Sequence, residues 1–301
     1  MANTHILTTS HGTNRDAFTA LDWGLFLGVA LIWGSSFLLI AIGLDAFHPG
    51  LVTWLRVGFG AVTIALFPQA RRTRVDRDDL TRLRLLGLIW VAIPFTLFPI
   101  AQQWIDSAIA GMLNGATPVF TALLATILLR ALPARLQIVG LIVGFAGIVA
   151  IALPSAGTGA TATLGVALIL VATVCYAIAL NMVTPAAQKY GSLPVMAHVL
   201  GSATLLVTPF GIYGLTQSSF TWPAFIATLA LGAVGTGIAF YMMGALVGSV
   251  GATRSAFLTY VIPVVALTLG VVFRDEVVAP LAIAGVGLVI VGAFLASRRD
   301  R

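Results

Sequence analysis

Apolar runs of close to twenty residues recur ten times along the chain, near 23–42, 50–69, 84–104, 109–129, 136–153, 163–184, 194–214, 223–245, 254–273 and 278–296. A bilayer core of about 30 Å is crossed by about 20 residues of helix. In lipid every backbone polar group must be bonded within its own segment, so these runs read as helices; a barrel strand needs about half their length. The joints are short and rich in turn-formers, as in His48-Pro49-Gly50, Pro154-Ser155-Ala156-Gly157 and Gly191-Ser192-Leu193-Pro194. Of the 301 residues 59% are hydrophobic and 9% charged, with a mean hydropathy of +1.04, where a soluble domain carries about 25% charged residues. A soluble globule must clothe its surface in polar groups. The expected fold class is therefore an all-α polytopic membrane protein with ten transmembrane helices, and a soluble enzyme, a disordered chain or a secreted disulfide scaffold is excluded. The single cysteine, Cys175, allows neither an intrachain disulfide nor a multi-cysteine metal site. No metal and no cofactor is expected.

Arginine and lysine set the orientation. With the N-terminus in the cytoplasm, Arg15, Arg71, Arg72, Arg74, Arg77, Arg82, Arg84, Arg130, Arg135, Lys189, Arg254, Arg298, Arg299 and Arg301 all fall on the cytoplasmic side. Only Arg274 falls outside, and Arg56 lies within the second run. The basic cluster Arg71–Arg84 is then a loop near anionic headgroups and not a nucleic-acid site. The polar start, Met1 to Asp22, lacks the pattern of a signal peptide. Both termini are expected in the cytoplasm, as tails 1–22 and 298–301, on a multi-pass inner-membrane protein. No GxxxxGK[ST] occurs, so no ATP is hydrolysed by this chain.

An internal repeat lies at an offset of 145 residues. Pro49 falls on Pro194, Gly87 on Gly232, Phe95 on Phe240, Leu113 on Leu258, Pro118 on Pro263, Val119 on Val264, Gly140 on Gly285 and Gly147 on Gly292. Residues 23–153 and 154–297 become two units of five helices. An odd number turns the second unit upside down relative to the first, the pattern of secondary transporters whose site lies near the midplane between halves.

Several residues carry a resemblance. They are Trp33-Gly34-Ser35-Ser36-Phe37 in the first helix, Arg56 in the second, the run from Ala108 through Asn114 and Pro118 to Phe120, its counterpart from Gly251 to Pro263, and Asp275-Glu276 after the ninth helix. With these the chain resembles the EamA-type transporters of the drug/metabolite transporter superfamily over nearly its whole length. The resemblance implies two EamA repeats and export of small metabolites, with amino acids, aromatic ones included, heading the list. It also implies a structural or gating role for Glu276. The first repeat departs from the pattern: Ala131 stands where the family has its other Glu. Small multidrug exporters of the superfamily rely on a Glu inside the first helix; here that helix has only Asp22 at its edge. Proton exchange by a buried carboxylate and attraction of cationic drugs are both disfavoured.

Candidate cavity residues are Trp33, Ser35, Ser36, Arg56, Gln102, Asn114, Thr117, Tyr176, Tyr241 and Tyr260. Arg56 is a charge at mid-span, so a function in attracting a carboxylate stands beside a structural one of capping carbonyls or snorkelling. Trp33 at mid-bilayer suggests a cavity wall, with Tyr176 opposite; the alternative is a packed ring. Gln102 ends the third helix, where Gln103 and Trp104 read as interface anchors. Pro118 frees the carbonyl of Asn114, so a bent helix with an open carbonyl, an amide and Thr117 makes a polar site, which Tyr260 and Pro263 repeat. Both prolines are expected to bend their helices. His198 is a weak candidate for proton coupling.

A cavity of aromatic rings and neutral hydrogen-bonders suits small zwitterions with apolar side chains. The expected function is an inner-membrane secondary transporter that exports amino acids by alternating access. Another metabolite or a lipophilic drug is the alternative cargo, and an intramembrane enzyme is the remote one, for want of a nucleophile–base pair. The partners are the bilayer and a small substrate, and one chain could suffice as a monomer.

Overall fold

A computed structural model describes residues 18–129, 135–156 and 159–297. The tail 298–301 and most of the tail 1–22 lie outside the described residues. With them go Arg15, Arg298, Arg299 and Arg301, as do Arg130 and Ala131. Every regular element among the described residues is helical.

The first helix, α1 (Ala20–Leu44), opens on a capping box. The Thr19 hydroxyl accepts the Asp22 N–H at 3.2 Å, and the Asp22 carboxylate accepts the Thr19 N–H at 2.9 Å. In α2 (Pro49–Leu66), Pro49 fills the first turn and His48 Nδ1 accepts the Gly50 N–H at 3.1 Å. The short α3 (Gln69–Arg72) and α4 (Arg77–Leu86) follow at the arginine-rich end. From α4 the chain runs through a π-helical turn, Gly87–Ala92, into α5 (Ile93–Ala101), making one apolar helix of Arg77–Ala101. Next come α6 (Ser107–Asn114), α7 (Thr117–Leu129), α8 (Arg135–Ala156), α9 (Ala160–Tyr190) and α10 (Ser192–Thr216). A second π-turn, Ala233–Ile238, joins α11 (Trp222–Gly232) to α12 (Ala239–Val250). The last elements are α13 (Ala252–Ser255), a 3₁₀ turn Ala256–Tyr260, α14 (Ile262–Arg274) and α15 (Pro280–Ser297). Gly191 and Gly251, at φ of 84° and 86°, make the abrupt exits from α9 and α12 that a side chain would resist.

Among the described residues nine helices are long and apolar enough to cross a membrane, and Pro280–Ala296 is a shorter apolar helix. Their outward faces are apolar: Leu31, Val62, Leu205 and Ile226 are each more than half exposed. Water does not tolerate such a girdle around a whole molecule, and lipid does.

The 145-residue offset carries into the backbone. Arg77 falls on Trp222, where the third and eighth long helices begin, and each contains a π-turn at nearly the same place. Each also has a partner interrupted before a proline, at Gly115-Ala116 and at Val261. Here the structure corrects the expectation of bent helices. Pro118 and Pro263 are second residues of new helices, α7 and α14. A proline in the first turn lacks a donor that has no partner there anyway, so it restarts a helix without clash.

Glycine brings helix pairs into backbone contact. A Cβ added at Gly147 would lie 2.7 Å from the Gly285 carbonyl oxygen, and one at Gly292 would lie 2.6 Å from that of Gly140. Early residues of α8 thus meet late residues of α15. The α2–α10 pair runs the same way: Gly214 faces Leu51, and Trp54 Nε1 donates to Thr208 Oγ1 at 3.1 Å. In α1, Gly34 lies against Val265 of α14, and Gly111 of α6 against Ala266 and Phe37. The buried core threads between these contacts and surrounds the site.

Candidate functional site

Near the centre of the bundle lies Arg56, with 6% of its surface exposed. Its Nε donates to Thr236 Oγ1 at 3.4 Å, and its guanidinium carbon sits 3.7 Å above the centre of the Phe95 ring. No carboxylate among the described residues lies within ion-pair distance of it. Local backbone geometry explains the placement. Thr236 belongs to the second π-turn, where its hydroxyl also donates to the Leu231 carbonyl at 3.2 Å. Gly60 and Gly232 let α2 and this turn approach until a Cβ on Gly60 would meet Thr236 at 2.7 Å. Phe95 is held from its other side. Its carbonyl, freed by Pro99 four residues on, accepts the Thr53 hydroxyl at 3.0 Å.

Aromatic rings extend from this cation in two directions. Phe95 meets Tyr176 edge-on at 6.5 Å, Tyr176 stacks on Phe98 at 6.0 Å, and Phe98 meets Phe37 at 5.5 Å. One turn beyond Thr236, Phe240 is wedged between Trp33 at 5.7 Å and Trp90 at 5.6 Å. The cluster draws on α1, α2, α5 and the first π-turn from one half, and on α9, α12 and the second π-turn from the other. Of the expected residues it gathers Trp33, Arg56 and Tyr176.

The remaining candidates lie elsewhere. The Ser35 and Ser36 hydroxyls both bond back to the Ile32 carbonyl, at 2.9 and 3.2 Å, so they serve α1 itself. Tyr241 is not at the cluster: successive helical residues point about 100° apart, and Phe240 takes the inward direction. Tyr241 is 38% exposed and stacks on Phe67 at 4.4 Å. Tyr260 packs on Phe257 in the 3₁₀ turn. The expected open carbonyl of Asn114 is not open, because the Thr117 hydroxyl donates to it at 2.8 Å. The unpartnered atom is instead the buried Asn114 Oδ1, and both amide atoms of Gln102 are likewise buried without a hydrogen-bond partner. His198 Nδ1 lies 2.9 Å from the carbonyl of Pro194, one turn back on its own helix. Phe240, Trp90, Phe95 and Thr236 are functional candidates that sequence reasoning did not single out. The repeat held a signal for two of them, since Phe95 and Phe240 are an equivalent pair.

Both ends of the bundle are bridged between halves. At the arginine-rich end Lys189 Nζ meets Asp76 at 2.8 Å and Asp79 at 2.7 Å, and the Tyr190 hydroxyl lies 2.9 and 2.5 Å from the same two carboxylates, its one proton shared between them. Hydrogen bonds from Lys189 first, and from Tyr190 next, hold Asp76 below the usual carboxylate range. At the opposite end an open cavity of about 510 Å³ is lined by Asp45, His48, Gln102, Gln217, Ser219 and Arg274, among others. Arg274 pairs with Asp45 there at 2.7 and 2.9 Å. Glu276 caps another helix: it accepts Ser107 N–H at 3.0 Å, Ser107 O–H at 2.6 Å and Ala108 N–H at 2.8 Å, at the start of α6. Asp106, which precedes that helix, makes no cap of its own. Burial, and then the Glu276 charge, raise it above the usual carboxylate range.

A sequence profile described as the EamA-like transporter family matches residues 23–153 and again 163–298. A protein of Streptantibioticus cattleyicolor named "Probable terminal-alkyne amino-acid exporter" is 28% identical over 280 residues, 92% of this chain and 93% of its own. A Salmonella typhimurium protein named "Probable amino-acid metabolite efflux pump" is 26% identical over 289 residues, 91% of this chain and 94% of its own. "Uncharacterized inner membrane transporter YedA" of Escherichia coli is 24% identical over 91% of this chain and 89% of its own. One solved crystal structure, 18% identical, superposes with a TM-score of 0.62 over 93% of this chain and 97% of that one, a likeness of fold alone.

Proposed function

Since the chain belongs to the EamA-like transporter family, and is a multi-pass membrane transporter and not an enzyme, we propose that it exports neutral and aromatic amino acids from the cytoplasm. It does so by alternating access between two inverted five-helix repeats in the inner membrane. The observation that carries this reading is the central cluster. An un-neutralised guanidinium, Arg56, stands among aromatic walls to which both halves contribute. A buried charge in a span is costly to keep and is a functional group by default. A substrate carboxylate docks on the free edge of Arg56 as a charge-assisted, two-pronged pair, and an apolar side chain lies against Trp33, Trp90 and Phe240. Asn114 and Gln102, with unpartnered amide atoms, serve the polar path toward the outer cavity. The names of two relatives point to the same cargo class.

Support for the inverted topology comes from the glycine contacts. The repeat-equivalent helices α8 and α15 touch in an antiparallel sense, as do α2 and α10. Ten spans then give an odd five to each half, with the basic residues and both termini in the cytoplasm. Helix Pro280–Ala296 spans about 26 Å at 1.5 Å per residue, near enough to the hydrocarbon thickness to cross without tilt. The bridges at the two ends, Lys189 to Asp76 and Asp79, and Arg274 to Asp45, are the contacts that alternate as halves rock.

The test is counterflow. Labelled threonine, methionine, phenylalanine and tryptophan are offered to proteoliposomes preloaded with the unlabelled compound. Saturable uptake is expected, lost at least tenfold in Trp33→Ala and in Phe240→Ala proteins that elute and melt like the parent. No counterflow for any of the four, from folded protein, overturns the amino-acid assignment and leaves family and fold standing.

A further inference from the structure

A zwitterion presents two charges, and among the described residues the centre of this protein holds a counter-charge for one of them. Arg56 makes a single long hydrogen bond, to Thr236, and covers one face of Phe95. Its two terminal nitrogens donate to no group among the described residues. The described carboxylates stand at helix ends or in joints. Asp22 is tied to Thr19 and to Ser249, Asp45 to Arg274, Asp76 and Asp79 to Lys189, and Glu276 to α6. An ammonium group brought to the cluster would find aromatic faces and hydroxyls, which attract it less than a carboxylate does. A carboxylate finds Arg56, and an apolar body finds rings that need no polar partner.

We infer, resting on the transporter reading above, that the substrate class is set by the carboxylate and the apolar body, and that the amino group is dispensable: the protein carries apolar monocarboxylates without an ammonium group, such as 2-hydroxy acids, at least as well as the matching amino acids. One negative charge then neutralises one positive charge, and the complex crosses the occluded state with none left over. Removing the carboxylate while keeping the ammonium places two cations at one site and abolishes binding.

The experiment uses three phenyl compounds of nearly one size: phenylalanine, 3-phenyllactate, in which hydroxyl replaces ammonium, and phenylalaninamide, in which a neutral amide replaces the carboxylate. Each is tested in proteoliposomes at about pH 6, where the amine of the amide stays protonated and both acids stay ionised, as competitor of labelled phenylalanine. Labelled phenyllactate is also followed directly, with protein-free vesicles as baseline. Phenyllactate is expected to compete with an inhibition constant equal to or below that of phenylalanine, and to show saturable counterflow. Phenylalaninamide is expected to be at least tenfold weaker. Arg56→Gln should raise the constants for both carboxylates at least tenfold and erase the gap to the amide, while Arg56→Lys restores part of it. If Arg56→Gln does not fold, the ranking on the unaltered protein decides alone. Phenylalanine carried while phenyllactate neither competes nor moves overturns this inference and leaves amino-acid export intact. Phenyllactate carried without phenylalanine overturns amino-acid export and upholds the inference. An amide as good as the two acids, or no transport of either acid by folded protein, overturns it.

Discussion

Glu276 and Asp45 show how differently two carboxylates at one end of the molecule act. Glu276 accepts three donors at the start of α6, where unpaired N–H groups and the helix dipole both favour a negative charge. Asp45 makes a two-pronged pair with Arg274, but it is half exposed, and water screens such pairs to little net worth. Glu276→Gln is therefore expected to destabilise the protein by about 1–2 kcal/mol. Asp45→Asn should stay within about 0.5 kcal/mol. Denaturation of the purified protein in detergent, followed by tryptophan fluorescence, distinguishes the two. The family resemblance implied a structural or gating role for Glu276; that it caps α6, contributed by the other half, is a matter of three-dimensional placement. Arg56 was legible for the same reason in reverse. A charge in an apolar run stands out whatever surrounds it, whereas Thr236 beside it is an ordinary threonine until the π-turn directs its hydroxyl.

Helices here are joined by what they lack. In α15 an added Cβ at Gly292 would strike the backbone of Gly144 and Gly140, whereas one at Gly287 would meet nothing within 4 Å. Without a strong hydrophobic drive between helices in lipid, such close approach is a main source of their association. Gly292→Ala is expected to cost about 1–3 kcal/mol through overpacking, and Gly287→Ala to be neutral or slightly stabilising, as alanine is the better helix former. Stability series in one detergent would measure both, and equal effects would remove the backbone-contact account. Apolar length made these elements easy to locate. Their interruptions were harder to read. A proline inside an apolar run predicts a bend, and only the packed neighbours show that the helix stops at Gly115 and begins again at Thr117. The two π-turns left no local trace, because they shift hydrogen-bond register without changing residue type.

At the scale of the whole molecule, ion pairs bridge the halves at both ends, each a cation of the second half on carboxylates of the first. Lys189 and Tyr190 clamp Asp76 and Asp79 at the arginine-rich end. Asp76 is held below its unfolded value near 4, so the clamp's contribution is complete above that pH and is lost only as pH falls through the lower, folded value. Transport should therefore show no step from this clamp between pH 6 and 8. The melting temperature should fall below about pH 4, and Asp76→Asn should blunt that acid-side fall. A transport step near neutrality that disappears in Asp76→Asn would mean that Asp76 is not held low by the clamp. The internal repeat foretold that matching elements exist in both halves, and the matched helix starts and paired π-turns follow it. The repeat did not tell which faces meet, because a period in sequence fixes equivalence and not contact.

The sequence by itself determined that the chain is helical, that it is solvated by lipid, that it is built twice over and that one arginine sits where charge is expensive. Each of these follows from local chemistry: backbone donors must be bonded in lipid, and apolar length and charge are properties of single segments. The tertiary structure alone decided that Phe240 and not Tyr241 faces Trp33, that the Asn114 carbonyl is taken and its amide oxygen is not, and that no carboxylate among the described residues comes to Arg56. Those outcomes depend on the rotation of each helix about its axis. A few tens of degrees move a side chain from lipid to core, and that rotation is set by which glycines admit which neighbours.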